Sequence, residues 1–358
     1  MVMGMETARQ SIVAVVLDCF KDDRSISGVF HLLKGKKSAQ TIQDGAFFGV
    51  LPYFGLFPTL KRHELEFDIN KLISNGQASW TERDKILLTN EGKQLVCQFK
   101  ANNEYINDLR GWQYHSYTEE FWLRICLYVQ VITHIVSGNH QFYPITHQLN
   151  VQRWVKKHLP KLHNLRKEKL QQIYNELAHF LSECQDIQAT IFVQQLSGNN
   201  QVGLTKLQLA EQLKMDEQTV NLYHVSTIHR LLSELDNKKE TYHNFSMFAM
   251  DLKRPLVLTE SARLTYYLFK QGHSIKSISK IRKLKQSTIE DHIVEIAIQN
   301  PEFSIRPFVE KELEDQIMQL SDKHITRRLR EFKEQIGSDV SFFVIRLVLA
   351  RKKVHHES

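Results

Sequence analysis

The chain has 358 residues, 42% hydrophobic and 24% charged, enough for two or three domains with buried cores. Its 47 Lys and Arg against 40 Asp and Glu leave a formal net charge of +7 and a pI near 9.0, which suits an anionic partner wherever the bases cluster. No uncharged run is long enough to cross a bilayer, the apolar run 12–17 is too short for a leader, and Cys19, Cys97, Cys126 and Cys184 form no C-x-x-C; a cytoplasmic protein with buried free thiols and no membrane association is expected.

Residues 7–20 read as a helix with Ile12, Val13, Val16, Leu17 and Phe20 inward, followed by a second helix over 26–33. A third begins after the basic run Lys34, Lys36 and Lys37 and continues to Phe47 and Phe48. Pro52, Gly55 and Pro58 mark a loop, and 60–73 is a fourth helix ending at Asn75 and Gly76. Residues 77–80 and 85–88 form a hairpin about a turn at 81–84, and a helix opens near Thr89. Helices followed by a small hairpin are the winged-helix arrangement, so 1–100 is expected to be a winged-helix-like domain. Lys34, Lys36 and Lys37 stand at the start of its presumed recognition helix, where a helix N-terminus suits phosphate; a solvated loop is the alternative. A phosphate-binding loop of the NTPase kind is excluded, because Lys37 follows Gly35 and Lys36 where Ser or Thr is required, and Phe30 stands where the earlier glycine should be.

Residues 101–250 are expected to form a helical middle domain. It is rich in aromatic residues, and the spacing of Trp122, Ile125, Val129 and Ile132 is that of a buried helix face. Residues 152–169 carry a second basic patch, with Arg153, Lys156, Lys157, Lys161 and Lys167 opposed only by Glu168. Helices over 206–213 and 217–232, joined at Lys214, Met215 and Asp216, read as a helix-turn-helix; Glu211, Asp216 and Glu217 make it a packing or protein-contact module.

The region 251–358 carries the sharpest pattern. A helix over 261–270 is expected to bury Leu264, Tyr267 and Leu268 and to stop at Gly272. A second, near 275–282, carries Ile275, Ile278 and Ile281 on one face. A turn at Lys283, Leu284 and Lys285 leads to a third helix, with Ser287 as N-cap, Glu290 completing a capping box, and Ile289, Ile293 and Ile296 inward. This is a helix-turn-helix, whose second helix enters a DNA groove. Its outer side should show Lys285, Gln286, Thr288, Asp291 and His292, beside a basic cluster that includes Lys253, Arg254, Lys276, Lys280, Arg282 and Lys283. Two further amphipathic helices and an apolar segment over 341–351 close the chain.

Catalysis finds no support: there is no H-E-x-x-H, no G-x-S-x-G and no metal-ligand triad at helical spacing among the 17 histidines, and His224 and His229 read as surface or half-buried residues. The expectation is a mostly α, non-enzymatic protein without cofactor or metal.

The run 258–293 resembles the helicase-associated helix-turn-helix domain at the ends of some RecQ-type DNA helicases, and the whole chain, more loosely, resembles the YpbB family of stand-alone bacterial proteins that carry this domain at the C-terminus. That resemblance implies a DNA-binding accessory protein of a RecQ-type helicase in DNA repair or recombination. Ser287 joins the candidate DNA contacts as the first residue of the reading helix. Two alternatives stay open: a scaffold that docks on the helicase without touching DNA, and a helix-turn-helix transcription regulator. Homo-oligomer formation is also left open.

Overall fold

The computed structural model describes residues 7–81, 85–252, 256–323, 329–337 and 339–352. The protein is mostly α. The N-terminal part contains α1 (Ala8–Phe20), α2 (Ile26–Lys34), α3 (Ala39–Phe47) and α4 (Arg62–Ser74), the antiparallel hairpin β1 (Ala78–Trp80) and β2 (Ile86–Leu88), and α5 (Asn90–Asn102). The middle contains α6 (Gly111–Tyr114), α7 (Thr118–Val136), α8 (Leu149–His158), α9 (His163–Ser182), α10 (Asp186–Gln194), α11 (Lys206–Leu213), α12 (Glu217–Asn237) and α13 (His243–Ser246). The C-terminal part contains α14 (Glu260–Lys270), α15 (Ile275–Arg282), α16 (Gln286–Gln299), α17 (Lys311–Lys323), α18 (Leu329–Ile336) and α19 (Phe342–Lys352).

The helices gather into two compact units. One draws on Met1–Ala14, Glu66–Gln77 and Asn90–Lys253, the other on Val15–Leu65, Ala78–Thr89 and Arg254–Ser358. Residues 1–100 contribute to both units. The expected helices and hairpin of that segment are present, with the turn residues 82–84 outside the described chain.

The first unit is built on the 3–4 spacing of α7, whose Phe121, Ile125, Tyr128 and Ile132 are fully buried. They belong to one cluster with Val151, Trp154 and Val155 of α8, Ile173 and Phe180 of α9, and Ile228, Leu231, Leu232 and Leu235 of α12. Each such side chain contributes about 1.5–3 kcal/mol on burial. Arg124 sits among them on α7, tied to Glu120 at 2.8 Å and Asp251 at 2.5 Å and lying 4.7 Å from the Trp154 ring centre. Most of the middle-region aromatics are core, as their spacing implies, but Tyr143 and Tyr174 are exposed.

One expectation is corrected in this unit. His224 and His229 are buried on α12, with the Arg110 backbone N–H donating to His229 Nδ1 at 3.0 Å. Burial, reinforced by His115 and Arg110, pushes His229 down to about 3, so it is a neutral core residue. Across the whole chain the four thiols are free, but only Cys126 is buried and Cys97 is exposed.

The second unit is organised around α16, which packs against α14, α15, α19 and α3. Ile289, Ile293 and Ile296 of α16 are fully buried, as the period of the sequence requires, and so are Ile42 of α3, Ile278 of α15 and Ile345 and Val348 of α19. In the hairpin, β2 alternates, with Ile86 and Leu88 buried and Leu87 exposed, whereas in β1 Ala78 is buried and Trp80, on the same face, is exposed.

Candidate nucleic-acid interface

The helix-turn-helix is made by local geometry. Gly272, at φ +87°, follows α14 in the left-handed conformation that glycine adopts at little cost. Ser274 caps α15 by accepting from the Ser277 N–H at 3.2 Å. Lys283 then takes φ 53°, ψ 41°, the left-handed turn position, and the Leu284 N–H returns to the Ser279 carbonyl at 3.1 Å. The next helix starts two residues earlier than its sequence suggests. Lys285 occupies the N-cap and offers no side-chain cap, so the expected Ser287 cap and its capping box do not form. Glu290 instead accepts from the Gln286 amide at 3.1 Å. The first N–H groups of α16 are therefore left without a side-chain cap, at the positive end of a 14-residue helix.

Lys276, Lys280, Lys283 and Lys285 are all exposed around this turn, and none makes an ion pair or side-chain hydrogen bond among the described residues. Gln286 and Ser287 are exposed beside them, and Thr288 is half-buried. These residues come together as expected. Lys253 and Arg254 lie outside the described residues.

Arg282 and His292 do not join that surface. The Arg282 guanidinium donates to the Ser261 carbonyl at 2.6 Å, to Ser261 Oγ at 2.9 Å and to Thr265 Oγ1 at 2.5 Å, bracing α15 on α14. Thr265 Oγ1, having accepted from arginine, is placed to donate to His292 Nδ1 at 2.9 Å. His292 is only 6% exposed; burial, then the Arg282 charge, lowers it to about 4, so it is neutral at pH 7. His292 is an internal acceptor, and its expected place at a DNA groove is withdrawn.

Asp291, expected to be outward, bonds to Arg346 of α19 and accepts from Gln43 of α3 at 3.3 Å. Arg346 also donates to Gln43 Oε1 at 3.0 Å. Val294 and Glu295, one turn on, are buried, and Glu295 accepts from the Thr259 N–H and hydroxyl at 2.5 and 3.0 Å. Past its first turn, the helix expected to read DNA is covered by α3 and α19.

The same packing removes α3 as a reading helix, because residues 41–47 are buried. Its N-terminus is satisfied by Ser38, which accepts from the Thr41 N–H. Lys34, Lys36 and Lys37 are exposed at the approach to it. Lys36 reaches His31 Nε2 at 3.5 Å and lines a cleft of about 520 Å³ with Arg24, His31, Gln40 and Lys85. Lys37 lies close enough to Glu295 to favour its charged form.

The apolar faces also shift. Leu264 and Tyr267 of α14 and Ile281 of α15, expected inside, are 57%, 62% and 52% exposed; Ala262 and Thr265 take the inward positions on α14. Sequence reasoning missed Ser261, Thr265, Gln43 and Arg346. The available signal was His292 and Glu295, polar groups set between the isoleucines of one helix, where burial demands partners.

This arrangement suits phosphate contact: four uncommitted lysines surround an uncapped helix N-terminus, and few side chains are left to read bases. Residues 261–349 match the family described as "Helix-turn-helix domain", which supports DNA binding and defines the chain as a helix-turn-helix protein. The chain is also 32% identical over 342 residues to Protein YpbB of Bacillus subtilis (strain 168), an alignment covering 94% of this chain and 96% of that protein. It belongs to the YpbB family. No solved structure matches it.

Proposed function

We propose that the protein is a non-catalytic DNA-binding accessory factor that works with a RecQ-type DNA helicase in repair or recombination. The observation that carries the DNA part is the uncommitted set Lys276, Lys280, Lys283 and Lys285 around the uncapped start of α16. Each phosphate neutralised there releases counterions and favours binding without regard to sequence. The covered face of α16 argues against an operator-reading transcription regulator, which needs side chains along that helix to meet base edges. The helicase part rests on the resemblance of 258–293 to the domain carried by RecQ-type enzymes. Holding a helicase on the same DNA would raise its local concentration there.

A second reading, a scaffold that contacts the helicase alone, is favoured by Leu264 and Tyr267 of α14 and Ile281 of α15, large apolar side chains left exposed. Binding of the purified protein to a fluorescent forked duplex at two salt concentrations, with and without a RecQ-type helicase, separates the two. Salt-sensitive binding by the protein alone, strengthened by the helicase, is expected. A salt-stable complex with the helicase and no DNA binding by the protein alone would replace the first reading with the second.

A further inference from the structure

The first unit carries a basic surface that the helix-turn-helix does not explain. On α8 the apolar side, Val151, Trp154 and Val155, is buried in the core, and the opposite side exposes Arg153, Lys156 and Lys157 at the i, i+3, i+4 spacing of one helix face. Lys161 follows in the short turn, and Lys167 extends the charge along α9, whose first turn has no acidic residue. None of these five cations makes an ion pair or hydrogen bond among the described residues, and Glu168 is the sole acid across 152–169. The surface is held firmly: Arg166 Nε donates to the Pro160 carbonyl at 2.7 Å across the turn, and His158 stacks on Trp154 with ring centres 4.1 Å apart.

We infer that the outer face of α8 and the α8–α9 turn is a second site for the phosphate backbone of nucleic acid, on a different unit from the helix-turn-helix. Five uncommitted cations along a rigid edge match a row of phosphates in charge. An anionic membrane is the weaker occupant, because an interfacial helix inserts an apolar stripe and that of α8 is already buried in the core. The inference goes beyond the proposed function and does not require the lysines around α16 to bind.

The test uses the full chain and fluorescence anisotropy on a single-stranded oligonucleotide and on a duplex of the same sequence. The variants are Lys156→Glu with Lys157→Glu and Lys161→Glu, and separately Lys280→Ala with Lys283→Ala. If each of the three first-unit lysines meets a phosphate, losing them flattens the plot of log affinity against log salt by about 2 on single strands and about 2.7 on duplex. Between about 50 and about 200 mM salt, wild type then loses roughly 20- to 40-fold more affinity than the triple variant. The Lys280 and Lys283 variant must retain that component, so the two surfaces fail or succeed separately. The oligonucleotide with the larger change identifies the preferred strand form. Should circular dichroism show the Glu variant unfolded, the three Ala substitutions give the same readout. An unchanged slope in a folded triple variant overturns the inference. So does a triple variant that loses binding to vesicles of phosphatidylglycerol, or to a polyglutamate peptide, while holding nucleic acid as wild type does.

Discussion

Replacing His292 with glutamine isolates the brace that joins α14, α15 and α16. His292 is held near 4 by burial and by Arg282, against 6.5 in an unfolded chain; Asp291 pulls the other way and is the smaller influence. A folded-state pKa below the unfolded one means that the stabilising contribution is complete above pH 6.5 and is lost as pH falls toward 4. With those two values, about 2 kcal/mol of it is gone by about pH 5. Glutamine can accept from Thr265 through its carbonyl oxygen but cannot titrate, so the stability gap between wild type and His292→Gln should narrow by that amount between about pH 7.5 and about pH 5. Urea unfolding followed by far-ultraviolet circular dichroism at the two pH values measures the gap. Glu295, whose buried carboxyl is pushed up mainly by desolvation, titrates in both proteins and drops out of the difference. Profiles that stay parallel would show that His292 does not carry the linkage and that the Arg282–Thr265–His292 chain is not formed as drawn.

Two further outcomes follow from the same unit. Lys280→Ala with Lys283→Ala should flatten the salt dependence of duplex binding by about 1.8, with similar losses on unrelated sequences; a sequence-dependent loss would point to base reading instead. A double-mutant cycle of Asp291→Asn and Arg346→Gln should give a coupling of about 0.5–1 kcal/mol by urea unfolding, since the pair is only partly exposed and shares Gln43.

How much of this was legible in the sequence depended on the reach of each interaction. The turn at Lys283 to Lys285 and the isoleucines of α16 are set by neighbours within a few residues, and both are where helical periodicity placed them. Leu264 and Tyr267 share a face at i and i+3, and periodicity assigned that face to the core. It was wrong because the Arg282 brace turns the other side of α14 inward, and a guanidinium making three bonds is invisible to a hydrophobic pattern. The fate of Asp291 was further out of reach: its partners Gln43 and Arg346 lie 248 and 55 residues away, and no spacing rule connects them. Arg124 shows where a signal did exist, because a lone charge among Phe121, Ile125 and Tyr128 on a buried helix face must have a counter-charge, here Asp251.

The two helix-turn-helix pairs differ most tellingly at one position. Thr205 and Ser274 cap their first helices, Leu209 and Ile278 are buried, and Lys214 and Lys283 take the same left-handed turn, at φ 54° and 53°; each pair is 69 residues apart (283 minus 214). At the next N-cap the chain places Asp216 in one and Lys285 in the other. Asp216 Oδ1 accepts from the Gln218 and Thr219 N–H groups at 3.0 and 3.1 Å, so a carboxylate already sits where a phosphate would bind, whereas Lys285 leaves that place open and adds a positive charge. Lys285→Asp should therefore convert the second pair toward the first. Its carboxylate is expected to cap α16 and stabilise the protein by about 1 kcal/mol, while duplex affinity falls further than in Lys285→Ala, which removes only the charge. Urea unfolding and duplex titration of both variants, beside Lys285→Ser as a neutral cap, distinguish the causes. A Lys285→Asp protein that gains stability yet binds no worse than Lys285→Ala would mean that the start of α16 faces no phosphate, and the lysines alone would have to account for DNA binding.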